Sequence, residues 1–438
     1  MSIRRAEAKF SRRQFIKGVV ALTAAGTAPA LLLSCSREPR SDRRPEHVIL
    51  VDWDGLDPAY LDRAPTPSLD ELARRGSLST ARGTFPTLSN PSRASMATGA
   101  YPEVHGNAAY YLNRQTGRVV GEERTLQAET VAEALVEAGK NIVSIQWYTV
   151  QGHGVAFGAS DRLYVEPGGL FAARVDAAIK VLERQLVDSG GRKVTVPKIP
   201  DFLAVYGSDL DDVGHAEGPD GPNIVPLVAE MDRQLGRLVQ ATRNVGIYER
   251  TAFIVTSDHG MTRWARDLTQ ELLIAIADTG YTPEVVTPGN APGLATEVVI
   301  VPGAVRIANL FLRGRAEASG RRRQIERALE RMPHVASVLG ESDLQELQAG
   351  RKVGDLVVEA EEPWGFIPPR KAGGGTGGAH GSMEEMQVPL LFSGAGFRQD
   401  AAPRDPQIVD MAPTICALLG VRPPKDAHGR ALLETVGF

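Results

Sequence analysis

Cysteine is almost missing from this chain: only Cys35 and Cys416 occur in 438 residues. Cys416 falls in the apolar stretch MAPTICALLG, which reads as a buried helix. No disulfide framework is therefore available, and the fold must be held by its core. An apolar run long enough to cross a bilayer is missing too. The candidate, Val19 to Ser34, has sixteen residues and carries Gly26 and Pro29, against the roughly 20 that a spanning helix needs. It follows SRRQFIK, residues 11 to 17, a twin-arginine export motif with Arg12 and Arg13 ahead of Phe15 and Lys17. It ends in LLLSC, the form of a lipoprotein processing box with Cys35 as the first mature residue. Residues 1–34 are read as a cleaved signal peptide that engages the twin-arginine export machinery. The mature protein is then expected in the periplasm or cell envelope, anchored to the membrane by a lipid at Cys35. The plainer alternative is an uncleaved anchor, or cleavage elsewhere with Cys35 a bystander.

An excess of positive charge is the third absence. The chain is formally −4, and residues 1–34 hold six Lys and Arg against one Glu. Without them 43 Lys and Arg face 52 Asp and Glu, a formal −9. This argues against a nucleic acid polymer as the main partner and leaves room for a small anion in a metal-lined pocket. Residues 35–46 are a polar tether, and no internal repeat follows. The mature length, about four hundred residues, suits one large domain with an insertion, or two domains.

What is present is strand alternating with helix. HVILV (47–51), DFLAVY (201–206), TAFIVT (251–256) and QVPLLF (387–392) are short buried strands. TPSLDELARRG is a helix opened by Thr66 and Pro67 and stopped at Gly76, and Leu227, Val228, Met231, Leu235, Leu238 and Val239 line one face of another. The pattern predicts an α/β fold with a mostly parallel sheet sandwiched by helices. Three strands run into clusters of acid and imidazole: Asp52 and Asp54; Asp209, Asp211, Asp212 and His215; Asp258 and His259. In such sheets the carboxyl ends of the strands form one rim. One acidic residue there is ordinarily a cap or a solvated loop group. Three clusters on one rim repel unless cations neutralise them, and mixed Asp and His donors suit zinc. Asp211 and His215, four apart, share one side of a helical turn. Asp52, Asp209 and Asp212 are read as supporting or surface groups.

The stretch TFPTLSNPSRASMATGAYPEVHG (84–106) adds six serine and threonine hydroxyls ahead of His105. Together with VDWDGLD, LDDVGHAEGP, TSDHGMT and GGAHGS, in this order, it resembles the alkaline phosphatase superfamily, most nearly its type I phosphodiesterase/nucleotide pyrophosphatase branch. The resemblance implies that Asp54, Asp258 and His259 hold one zinc and Asp211, His215 and His380 another, two zinc ions in all. It places the nucleophile, itself a ligand of the first zinc, at Ser89. Local physics agrees: Pro91 and the run to Gly99 read as a short helix, which puts Ser89 at an N-terminus that favours an anion. Thr87, in the preceding loop, is the nearest competitor.

Two features depart from that branch. It usually has Thr at the nucleophile, and an Asn shortly after the His-Gly where this chain has Tyr110; Asn107, Asn113 or the Tyr110 hydroxyl are the substitutes at hand. SNPSRASMATG also matches the sulfatase signature, in which Ser89 would become formylglycine and Arg93 the signature arginine. Against a sulfatase stand Trp53 between Asp52 and Asp54, the Asp211/His215/His380 set, and the lack of a Gly-Lys-x-His stretch around His153. A third alternative is an inactive binding lipoprotein, which clustered carboxylates without metal would destabilise. Arg93, Asn107 and Tyr110 are candidate substrate-binding residues, with His105, Trp147 and His153 as further pocket candidates. The core is expected in residues 47–262 and 373–438, interrupted by a small α+β cap at 263–372 that shapes the pocket or lies remote from it. The activity expected is hydrolysis of a small phosphodiester or pyrophosphate through a phospho-serine at Ser89.

Overall fold

Strands in a computed structural model of the chain, which describes residues 44–366 and 376–437, form where short β-branched and aliphatic runs occur. The signal segment, Cys35, the tether up to residue 43 and the boundary at 372/373 lie outside the described residues. In chain order the strands used below are β1 (His47–Trp53), β2 (Ser77–Arg82), the hairpin β3 (Ala109–Asn113) and β4 (Arg118–Glu122), β5 (Ile142–Ile145), β6 (Arg162–Val165), β7 (Phe202–Gly207), β8 (Thr251–Thr256), β9 (Pro283–Val285), β10 (Val298–Gly303), β11 (Ile307–Leu312), β12 (Val335–Leu339), β13 (Leu356–Ala360) and β14 (Gln387–Gly394). The helices are α1 (Pro67–Arg74), α2 (Ser89–Thr98), α3 (Asp209–Glu217) and α4 (Ile224–Asn244).

The main sheet has seven strands in the order β2-β14-β8-β1-β7-β5-β6. β8, β1, β7, β5 and β6 are parallel, and β14 runs antiparallel to both of its neighbours. Side chains alternate along β1, so its two faces enter different cores. Ile49, Val51 and Trp53 pack with α4 through Val228, Met231, Leu235 and Leu238, while Val48 and Leu50 pack on the other face with Met96, Trp147 and Ile415. The sheet is thus covered by helices on both sides. In register, Asp52 lies opposite Thr256 and Tyr206. The three central strands therefore end level, and whatever follows them emerges at one rim.

A second sheet, β9-β10-β11-β13-β12, lies between β8 and β14 in sequence and has its own core of Leu272, Ile276, Val298, Ile300, Leu310, Leu356 and Val358. Two apolar patches fasten it to the main body. Phe85 and Met386 meet Ile307 and Val357, and Tyr111 and Val119 of the hairpin meet Val299 and Phe311. Arg306, fully buried, adds an ion pair to Glu385 at 3.1 Å.

Candidate active site

Asp54 leaves the end of β1, its N–H donating to the Gly207 carbonyl at 2.8 Å. Asp258 and His259 follow β8. α3 opens directly after β7 and sets Asp211 and His215 one turn apart, Oδ1 to Nε2 3.3 Å. α2 begins at Ser89 and ends at Gly99 in the left-handed region (φ 72°), with Asn90 to Thr98 all buried. Its first residue, Ser89, is half-buried and faces the rim. His380 arrives last in sequence, beside Val305 of the inserted sheet.

All three histidines are oriented by backbone carbonyls. His259 Nδ1 donates to Gly260 at 3.0 Å, His215 Nδ1 to Gly378 at 3.0 Å and His380 Nδ1 to Thr87 at 2.7 Å. A carbonyl only accepts, so Nδ1 carries the proton and each Nε2 presents a bare lone pair. Two of these, on His215 and His380, face each other at 3.1 Å, with Asp211 Oδ1 3.5 Å from His380 Nε2. Lone pairs at that distance repel unless a cation lies among them. The other cluster joins Asp54 Oδ1 and Asp258 Oδ2 to His259 Nε2 at 3.4 and 3.2 Å, and Ser89 Oγ lies 3.0 Å from the same nitrogen. Asp54 Oδ1 and Asp211 Oδ1 are buried with no hydrogen-bond donor, and Asp258 Oδ2 has only an ion pair with Arg93 at 3.0 Å. Orphaned carboxylate oxygens of this kind are costly. Two sets, Asp54/Asp258/His259 and Asp211/His215/His380, each gather three donor atoms within 4.8 Å, the geometry of a metal-binding group. The residues fit divalent cations with mixed nitrogen and oxygen coordination.

Protein groups alone leave the site under electrostatic tension. Burial, added to by the Asp54 charge, holds the Asp258 and Asp211 carboxyls well above the usual range. Burial likewise pushes His259 down to about 4 and His380 well below its ordinary value. Asp54 is the exception. Burial raises it, but Arg93, His259 and the Tyr206 hydroxyl, which donates to Oδ2 at 2.6 Å, together bring it below the usual value.

Arg93, expected among the substrate-binding residues, is instead fully buried beneath the carboxylates. Its guanidinium meets Asp52 at 2.8 Å, Asp54 at 2.7 Å and Asp258 at 3.0 Å, and that charge is what keeps it inside. Asn107 is turned away as well, its amide donating to the Thr125 carbonyl at 3.0 Å and reaching Glu123 O at 3.3 Å. Trp147 donates to Asp52 at 3.1 Å from the core, and His153 stands beside Glu133 at 3.7 Å. The Thr87 hydroxyl is committed to Ser382 O and Gly381 N, each at 2.8 Å, which leaves Ser89 as the hydroxyl at the rim. The Tyr110 hydroxyl donates to Glu122 at 3.2 Å, and that carboxylate lies 3.5 Å from the side-chain amide of Asn90, next to Ser89. Tyr206 and Glu122 were not singled out by the sequence, since neither sits in a motif and both act through partners far along the chain.

The family model for type I phosphodiesterase / nucleotide pyrophosphatase matches residues 48–383. The chain belongs to this family. This type I phosphodiesterase, a hydrolase of the alkaline phosphatase superfamily, is 23% identical over 407 residues to the bis(5'-adenosyl)-triphosphatase enpp4 of Xenopus laevis, covering 88% of this chain and 80% of that one. It is likewise 23% identical over 408 residues to human ectonucleotide pyrophosphatase/phosphodiesterase family member 5, covering 90% and 78%. Its fold is similar to the solved structure of human ectonucleotide pyrophosphatase/phosphodiesterase 5, with a TM-score of 0.66 at 20% identity over 86% of this chain and 96% of that one. A murine form of the same protein, inactive and in complex with AMP, gives a TM-score of 0.65 at 19% identity.

Proposed function

We propose that this phosphodiesterase is an exported, zinc-dependent enzyme that hydrolyses a small phosphodiester or pyrophosphate through a phospho-serine at Ser89. The observation that carries the reading is the Ser89 hydroxyl at the first residue of α2, 3.0 Å from His259 Nε2 of the first donor cluster. Asp54, Asp258, His259 and Ser89 would hold one zinc and Asp211, His215 and His380 the other. Bound there, zinc supplies a Lewis acid that lowers the pKa of a nearby hydroxyl and offsets charge gathering on phosphoryl oxygens.

The chain's own groups do the rest. Free N–H groups at the start of α2 point at an incoming phosphoryl group and favour its negative charge. Ser89 Oγ forms a bond to phosphorus as the ester oxygen on the far side leaves, and the serine proton ends on that leaving oxygen. Water then attacks the phospho-serine; the Ser89 Oγ–P bond breaks and Oγ regains a proton. Arg93 holds Asp54 and Asp258 in place throughout, from below. Arg12, Arg13 and Cys35 support export and lipid anchoring, and changing both arginines to Lys is expected to retain the precursor in the cytoplasm.

The test is an activity panel with metal analysis on purified mature protein. Bis(para-nitrophenyl) phosphate should be cleaved and Ser89→Ala should abolish that activity with metal content retained. The sulfatase reading makes the opposite forecasts: an aldehyde at Ser89 in the peptide mass spectrum, and aryl sulfate as the best substrate.

A further inference from the structure

Tyr110 occupies the place of the Asn usual in this family, and the structure surrounds it with a specific arrangement. Its backbone is left-handed (φ 54°), an uncommon state for an aromatic residue. Asn309 of the inserted sheet, itself fully buried, donates to the Tyr110 carbonyl at 2.9 Å and fixes that turn. The hydroxyl is thereby aimed at Glu122 Oε1, 3.2 Å away. The other oxygen, Glu122 Oε2, lies 3.5 Å from the side-chain amide of Asn90, the residue after Ser89. Glu122 is solvent-exposed. Among the described residues its carboxylate has no cation within ion-pair distance. The neighbouring guanidiniums are engaged elsewhere: Arg93 is buried on Asp52, Asp54 and Asp258, and Arg124 lies over the Tyr148 ring, 4.2 Å from its centroid.

A carboxylate with no ion-pair partner among the described residues is thus held against Asn90, the residue that follows the nucleophile. We propose that Glu122 is a charge filter: it disfavours phosphoryl groups that carry a second negative charge and so restricts the site to monoanionic diesters. The proposal rests on the hydrolase reading above and adds to it the residue that sets the preference between diester and monoester. The mechanism is Coulombic. A monoester dianion brings one more negative oxygen than a diester to a point near Glu122, whereas the usual Asn would donate to that oxygen. Tyr110 is a positioning residue here, spending its hydroxyl on the carboxylate and not on the substrate.

The test uses the purified, metal-loaded protein and the ratio of kcat/KM for bis(para-nitrophenyl) phosphate over para-nitrophenyl phosphate at pH 8. Glu122→Gln is expected to move this ratio at least about tenfold toward the monoester. Glu122→Asp, which keeps the charge, should stay on the wild-type side, and Tyr110→Phe should fall between. Calorimetric binding of inorganic phosphate reads the same filter without turnover: Glu122→Gln should bind it at least about tenfold more tightly than wild type. A ratio and a phosphate affinity that both stay within twofold of wild type overturn the filter. Loss of diester cleavage by the wild type, with phosphate binding still sharpened in Glu122→Gln, would instead overturn the hydrolase reading and leave the filter standing.

Discussion

Arg93 shows how one residue is read differently in sequence and in space. In sequence it is the arginine of a signature; in the structure it is a cation with no solvent exposure, in contact with Asp52, Asp54 and Asp258. Its removal leaves buried carboxylates facing one another, so Arg93→Met should cost about 3–5 kcal/mol in urea denaturation of the metal-free protein. Added zinc should restore part of that loss by supplying the missing charge. His105 offers a second prediction. Its Nδ1 accepts from the Asn107 N–H at 3.1 Å and its Nε2 lies 2.9 Å from the Ser95 hydroxyl, so the ring is held neutral, and burial with help from Lys352 pushes its pKa down to about 3. An unfolded histidine takes up a proton near pH 6.5. The unfolded state therefore binds more protons than the folded one between about pH 6.5 and 3, and stability is complete above that window and falls as pH drops through it. The slope is about 1.4 kcal/mol per pH unit. The stability gap between wild type and His105→Asn should accordingly narrow as pH falls from 7 to 5, measured by denaturant midpoints; a constant gap would contradict the buried neutral ring.

Among the elements, α3 and the strand ends were legible because local spacing determines them. Asp211 and His215 are four apart, so any helix through them sets both on one side, and β1, β7 and β8 each finish immediately before their charged residues. β2, β5, β6 and the hairpin β3–β4 escaped notice. SLSTAR in β2 and RVVGE in β4 carry little apolar pattern, IVSI in β5 and RLYV in β6 are only four residues long, and β2 owes its strand form to β14, distant in the chain. Glu122 was unreadable for the same reason, since its neighbours lie 12 and 32 residues away. The glycines before His380 have their reason in packing. A methyl group on Gly378 would overlap the Gly214 carbonyl of α3 and sit 2.7 Å from the Met261 sulfur. The Gly378 carbonyl also orients His215. Gly378→Ala should therefore push α3 away and lower metal content by about one ion per chain, read by elemental analysis, while the Asp54/Asp258/His259 cluster keeps its metal.

At the scale of the whole molecule, the two donor clusters join parts of the chain that are otherwise remote. His259 and His380 stack with ring centroids 3.6 Å apart and planes 13° from parallel, so the clusters share a wall. Metal that binds only the folded form stabilises it in proportion to the logarithm of its concentration over Kd. Chelation should lower Tm as well as abolish activity, and readdition of zinc should restore both. A Tm indifferent to chelation would show that the clusters hold no metal that matters to the fold.

Among the described residues Cys416 is the one cysteine, buried and free, so no disulfide ties them together. Yet His215 meets His380 across 165 residues, and the Gly55 amide meets Asp258 across 203. An ion in each cluster closes loops of that length as a disulfide would. In the chain-entropy picture such a closure removes about 5 kcal/mol of freedom from the unfolded state. The metal sites would then be reversible staples, fastened only after the last segment containing His380 has come home, and the fold would be held shut by the same atoms that make the protein an enzyme.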